Sequence, residues 1–253
     1  MLRFEPSQWV CSYLIRLGAR SSLLSEKAVF MEMLHRINIG AHVLFGTLAL
    51  LVGLVPLLTV KGNATHQRFG RWFLGLMAVV LATAVLGLTV FNFRPFLTVI
   101  VLLSVYQAYS GYRALRTRST GPTLLDGLFS AVFLLGGLAF LALLPRIRLV
   151  WSPVVMYSTL GALLAITVYD LSRFGWQQQW RRGAWLYEHI WKMVSAYAAL
   201  LSAFTGTVLA AYQPYSQFLP SLLCIGLALG FMLSLYRQQR HRTKPAPATS
   251  ILT

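Results

Sequence analysis

AHVLFGTLALLVGLVPLLTV, residues 41–60, carries no charged side chain, and its reading decides the fold. A helix needs roughly 20 predominantly apolar residues to cross the hydrocarbon core. Extended back to Ile37, this run (Ile37–Val60) meets that length. Six further runs follow: Trp72–Phe93, Phe96–Leu115, Leu124–Leu144, Val154–Tyr169, His189–Tyr212 and Pro220–Tyr236. The fifth is the shortest, and its pattern can be carried on to Phe174. Backbone groups in lipid have no water to bond, so spanning segments are helices or strands of a closed barrel. These runs are too long and too uniformly apolar for alternating barrel strands. The sequence therefore predicts an all-α polytopic transmembrane bundle of about seven spans. Residues 1–36 read as a tail, 37–238 as the membrane domain and 239–253 as a disordered basic tail. Within the first, Ser22–Arg36 reads as a surface helix or an extension of the first span.

Composition agrees. Charged residues make up 11% of the chain and hydrophobic ones 57%, against about 25% charged in soluble domains. The net charge of +16 raises nucleic acid as a partner. The basic residues sit mostly in short loops, however, and no nucleic-acid-binding pattern is present. Membrane orientation and anionic lipid at the cytoplasmic face account for them instead. Two cysteines, Cys11 and Cys224, support neither a disulfide framework nor a thiolate metal cluster.

Assigning Lys and Arg to alternate sides gives the orientation. One side receives Lys61, Arg68, Arg71, Arg113, Arg116, Arg118, Arg173, Arg181, Arg182, Lys192, Arg237, Arg240, Arg242 and Lys244. The loops of the other hold Arg94, Arg146 and Arg148. A bias of 14 to 3 predicts an inner-membrane protein with its C-terminus cytoplasmic. The N-terminal Arg3, Arg16, Arg20, Lys27 and Arg36 run against that bias. Trp176, Trp180 and Trp185 cluster before the sixth span and read as an interfacial loop or, alternatively, a substrate-binding lid.

Histidine is the first residue type to search for chemistry. His35 and His42 are seven apart and share a face if the first helix starts early. His66 precedes the second span and His189 opens the sixth, so topology puts both at the cytoplasmic face. His42 lies at the other end of the first span, about 27 Å from Val60 at 1.5 Å per residue. A straight helix therefore cannot bring it to His66 and His189 around one zinc ion. Two histidines on different helices are the minimum for a b-type haem, and Met193 lies one turn beyond His189; hydrogen-bonded interfacial histidines without a cofactor are the alternative reading.

Acidic groups gather at the same face. Thr123 and Asp126 fit a capping box. Glu188 and Lys192 form an i,i+4 pair. Asp170 is harder to explain, because a carboxylate at a helix C-terminus opposes the helix dipole; Arg173 is its expected compensation. The third span carries a polar stripe of Tyr106, Gln107 and Ser110, with Tyr109 beside it, which reads as interhelical hydrogen bonding or the wall of a polar cavity. Gly226-x-x-x-Gly230 and Ser202-x-x-x-Gly206 read as close helix contacts. No phosphate loop, hydrolase elbow or zinc-protease motif occurs.

Two stretches resemble a bacterial family of membrane proteins known as domain of unknown function 2306. In the first, His42 is followed by Gly46, Gly53 and Leu57, then by Lys61-Gly62-Asn63-Ala64-Thr65-His66-Gln67-Arg68-Phe69-Gly70-Arg71. In the second, His189-Ile-Trp-Lys-Met193 leads to Tyr197 and Ala203-Phe204. Asn63 stands where the family pattern has a second glycine. The resemblance implies a helical inner-membrane protein and marks His42, Lys61, Gly62, His66, Gly70 and His189. It assigns them no role.

Three function classes remain. One is a redox protein holding haem b at His66 and His189. Another is a small-solute or proton-coupled transporter, for which the polar stripe around Gln107 in the third span is the support; Asp126 and Asp170 are further candidate functional residues. The third is an assembly or lipid-interacting protein using its basic face.

Overall fold

The computed structural model describes residues 6–91, 93–146 and 153–242, with side chains described between Glu26 and Arg240 in those ranges, Phe96 excepted. The side chain of Cys11, residues Arg3, Arg148 and Lys244, and the tail from Thr243 lie outside the described residues, with the expectations placed on them.

Seven long helices make up the described chain: α1 Pro6–Leu58, α2 Ala64–Leu86, α3 Pro95–Arg116, α4 Leu124–Leu143, α5 Pro153–Ser172, α6 Trp185–Val208 and α7 Tyr215–Arg242. The protein is an all-α bundle. Five segments are long and apolar enough to cross a membrane: Glu26–Leu58, Ala64–Phe91, Leu124–Arg146, Pro153–Gly175 and Tyr215–Arg240. The other two long helices, α3 and α6, are of similar length, 22 and 24 residues. They are less apolar because they lie inside. Helix α3 packs against α2, α4, α5 and α6, while α6 packs against α1, α3 and α7. A helix facing protein on most sides can carry ionisable groups that lipid does not tolerate.

Several expected ends move. Ser22–Arg36 continues the first helix, since α1 is helical from Pro6 to Leu58. Early onset puts His35 and His42 on one face, with His35 4.6 Å from the Phe91 ring and His42 against α2. The fifth helix does continue, through Ser172 into a short turn at Arg173–Gly175. Helix α7 starts before Pro220, not at it, and runs through Arg242. Proline has no N–H to offer the carbonyl four residues back, which is that of Ser216. Thr205 of α6 donates to this oxygen at 2.6 Å, so the freed acceptor becomes an interhelical bond.

The two small-residue pairs part company. Ser202 and Ser221 lie 2.8 Å apart and Gly206 packs on Gln217, so Ser202–Gly206 is an α6–α7 contact as expected. Gly226 and Gly230 are not a packing motif within this bundle: a Cβ at either meets nothing within 4 Å. Spacing places two glycines on one face but does not say which way that face turns.

Candidate functional site

The 61–66 turn is built for capping. Gly62 has φ +82°, a conformation that favours glycine. The Asn63 side chain accepts from the His66 backbone N–H at 2.7 Å and starts α2. Lys61 Nζ donates to the carbonyls of Pro56 (2.9 Å) and Leu57 (2.6 Å), satisfying the end of α1 and its dipole. Its ammonium also sits 4.0 Å over the Phe231 ring, and partial desolvation there lowers its pKa from the usual lysine value. His66 Nδ1 donates to Pro56 O at 3.1 Å. The Lys-Gly…His stretch thus joins α1, α2 and α7. Gly70 takes no part in close packing, since a Cβ there meets nothing within 4 Å.

His42 and His189 are anchored alike. His42 Nδ1 meets Val80 O at 3.1 Å and Thr83 Oγ1 at 3.0 Å, tying α1 to α2. His189 Nδ1 meets Gly111 O at 3.0 Å, tying α6 to α3. A carbonyl only accepts, so each ring carries its proton on Nδ1 and leaves Nε2 as the acceptor. A Cβ on Gly111 would fall 2.6 Å from Met193 Cε, so His189 and Met193 grip the same glycine. Phe73 and Tyr197, two turns beyond His66 and His189 on α2 and α6, have ring centroids 6.1 Å apart. Among the described residues no three His, Cys, Asp or Glu side chains are grouped as a metal site requires.

The densest chemistry lies between α3, α5 and α6. Lys192 is fully buried. Its Nζ donates to Asp170 Oδ1 (2.7 Å), Asp170 Oδ2 (2.6 Å) and Glu188 Oε1 (2.6 Å). Arg173 donates from Nη1 to Glu188 Oε1 at 2.7 Å and from Nε to the Asp170 carbonyl at 3.1 Å. Trp180 Nε1 donates to Glu188 Oε2 at 2.6 Å. The Tyr106 hydroxyl donates to Asp170 Oδ2 at 2.6 Å, with Ser130 Oγ 2.7 Å behind it. Two carboxylates and two cations therefore form a closed, formally neutral cluster, with every ammonium hydrogen used. Arg173 does compensate Asp170, and the Glu188–Lys192 pair does form, but neither is a surface feature. Trp180 is fully buried, which corrects its place in an interfacial loop. Its indole is the donor that Glu188 Oε2 requires.

A second ion pair lies nearby. Arg113 donates from Nε to Asp126 Oδ1 at 2.6 Å and from Nη2 to Oδ2 at 3.0 Å. Asp126 Oδ2 also accepts from the Thr123 backbone N–H at 2.8 Å, the expected return bond at the start of α4. Arg113, Arg173 and Lys192, counted above with the loop charges, are thus partnered by acids.

Beside the cluster is a half-open cavity of about 1070 Å³ between α1, α3, α5, α6 and α7, with exposed residues such as Val43, Val208 and Leu222 at its mouth. Glu188 and Lys192 are its charged walls, and Gln107, His42, Tyr169 and Trp191 also line it. The rest is mostly aliphatic. Gln107 is 6% exposed, and its Oε1 is buried without a hydrogen-bond partner among the described residues. Of the sequence candidates, the structure brings Gln107 and His42 to this cavity and seats Asp170 in the cluster. His66, His189, Lys61 and Asp126 do not line it.

Gln107→Leu is expected to be tolerated better than Gln107→Glu. Leucine removes an unpaired polar atom from an apolar wall, whereas an acid at mid-helix costs on the order of 3 kcal/mol on membrane-insertion scales. Expression level and thermal unfolding in detergent check this. Equal values for both variants would show a water-filled wall instead.

Comparison of the chain with family models, with curated proteins and with solved structures finds no match in any of the three.

Proposed function

We propose that the protein is a seven-crossing inner-membrane protein that binds a small molecule within its own helix bundle and acts as a carrier or transporter. The observation that supports this reading is the cavity of about 1070 Å³ between α1, α3, α5, α6 and α7. It lies just above the roughly 300–1,000 Å³ of ordinary ligand sites, and like them it is mostly apolar with a few placed polar groups. The charge cluster fixes α5 and α6 to α3 at one end of it. The proposed seven crossings include α3 and α6 as interior spans. Native mass spectrometry of the purified protein tests the reading. A bound small molecule is expected, and Ala199→Trp, which fills the cavity wall, is expected to lose it. Wild type and variant both empty after gentle extraction would overturn it.

The proposed orientation places the 61–66 turn, the α3–α4 loop and the end of α7 in the cytoplasm, as the loop charges suggest. Single cysteines at Ser119 and Gln238, in a background lacking Cys11 and Cys224, are expected to resist an impermeant thiol reagent in intact spheroplasts and to react after lysis. A cysteine at Ala211 is expected to react in both. Labelling of Ser119 in intact spheroplasts would reverse the orientation.

A second reading, a b-type haem, rests on the anchored Nδ1 atoms of His66 and His189, because haem-ligating rings present Nε2 in this way. Under it, the purified protein has a Soret band that His66→Ala or His189→Ala removes and His42→Ala leaves. Colourless protein from haem-replete cells removes this reading.

A further inference from the structure

We infer that the cavity's ligand is an uncharged, hydroxyl-bearing lipid whose head group bonds to Gln107. This inference rests on the proposed role of the cavity as a binding site and names the class of molecule it takes. Three observations carry it.

First, the one cationic wall group has no donor left for an anion. Lys192 spends three donors on Asp170 and Glu188. Glu188 Oε1 accepts from Arg173 and Lys192, and Oε2 accepts from Trp180. A carboxylate or phosphate head entering here would have to displace one of these bonds and leave a buried charge unpaired, which is costly in a low dielectric. The cluster's formal charges cancel, so it exerts little pull on ligand charge of either sign.

Second, one wall residue has a buried polar atom that lacks a partner. The Gln107 side chain is 6% exposed, lines the cavity and has an unbonded buried oxygen. A buried polar atom without a partner is rare and points to a group supplied from elsewhere. A hydroxyl both donates and accepts, so it can serve either end of an amide. Among the other wall groups, Thr47 bonds Val43 O, Thr159 bonds Val155 O and Ser202 meets Ser221, while the side chains of Ser195, Tyr169 and Gln217, which have no such bond among the described residues, are not buried.

Third, size and lining match an acyl chain. A volume of about 1070 Å³ exceeds what a compact polar solute fills, and its wall near the α6–α7 end is formed by Phe204, Phe218, Leu222 and Ile225. The bilayer supplies molecules of this kind. Monoacylglycerols, diacylglycerols and long-chain alcohols share the required chemistry: a neutral head with a free hydroxyl and a long apolar body.

Titration of delipidated protein, followed by native mass spectrometry, tests this with four probes of matched chain. They are 1-oleoylglycerol, methyl oleate (neutral, no hydroxyl), oleate and dioleoylphosphatidylglycerol. In wild type, 1-oleoylglycerol is expected to bind about tenfold more tightly than methyl oleate, the worth of one good hydrogen bond. Gln107→Leu is expected to erase that difference by weakening only 1-oleoylglycerol. Ala199→Trp is expected to abolish binding of both. Equal binding of the two neutral probes to wild type would overturn the hydroxyl contact even if Gln107→Leu fails to fold. Tightest binding by oleate or phosphatidylglycerol, still blocked by Ala199→Trp, would overturn the neutral-ligand inference and leave the cavity as a binding site. Binding of all probes unaffected by Ala199→Trp would overturn both.

Discussion

Lys192→Met is expected to destabilise the protein by about 3–5 kcal/mol, the usual cost of removing one partner from a buried ion pair. Methionine keeps most of the volume, so packing is nearly unchanged. What is lost is the ammonium that holds Asp170 and Glu188 together, with both carboxylates less than 5% exposed. Arg173 alone then faces two acids, and one negative charge stays buried. The same logic predicts rescue. Adding Asp170→Asn removes the surplus charge and leaves Glu188 with Arg173 and Trp180. The double variant is therefore expected to be more stable than the sum of the single losses allows, with a coupling of about 1–3 kcal/mol. Thermal or chemical unfolding in a mild detergent measures all three. Additive losses under about 1 kcal/mol each would be the signature of solvated, independent side chains.

The second large effect is steric. Gly111→Val is expected to cost about 1–3 kcal/mol or more, as overpacking of a tight interior does. A Cβ at Gly111 falls 2.6 Å from Met193 Cε and 2.9 Å from Lys192 Cβ. The methionine methyl can turn aside. Lys192 cannot, because its head is pinned by three bonds. The wedge must push α6 away from α3, which also breaks the bond from His189 to Gly111 O. Gly226→Val and Gly230→Val are the controls. A Cβ at either meets nothing within 4 Å, and the expected change is within about 0.5 kcal/mol. Unfolding midpoints of the three variants check the contrast, and equal losses would mean that the α3–α6 contact is not tight.

The helices were legible because hydrocarbon imposes its length on any segment that crosses it. Depth within the bundle was much less so. The helix-dipole conflict drew attention to Asp170, and the response is local in Arg173 but mostly tertiary in Lys192 and Tyr106. Glu188 and Lys192 form the bond that i,i+4 spacing predicts, yet spacing is the same on a wet face as on a buried one. Trp180 differs from Trp176 and Trp185 only by where the 173–184 segment turns it. The orphaned Gln107 oxygen was visible only as membership of a polar stripe. Tyr106 and Ser110, its neighbours in that stripe, found partners. Spacing puts Met193 one turn beyond His189 on one face, and the structure shows both side chains against Gly111, 78 positions from His189 in the chain. Such pairings come from the packing of α3 on α6, which no local pattern encodes.

A side-chain-resolution cryo-electron-microscopy map of the protein in lipid nanodiscs tests the central claim most directly. The account predicts Lys192 enclosed between Asp170 and Glu188, α3 and α6 shielded from lipid, and elongated density in the cavity ending at Gln107. Lys192 turned out to water, or a cavity closed by α1 meeting α7 with Gln107 bonded to protein, would contradict it.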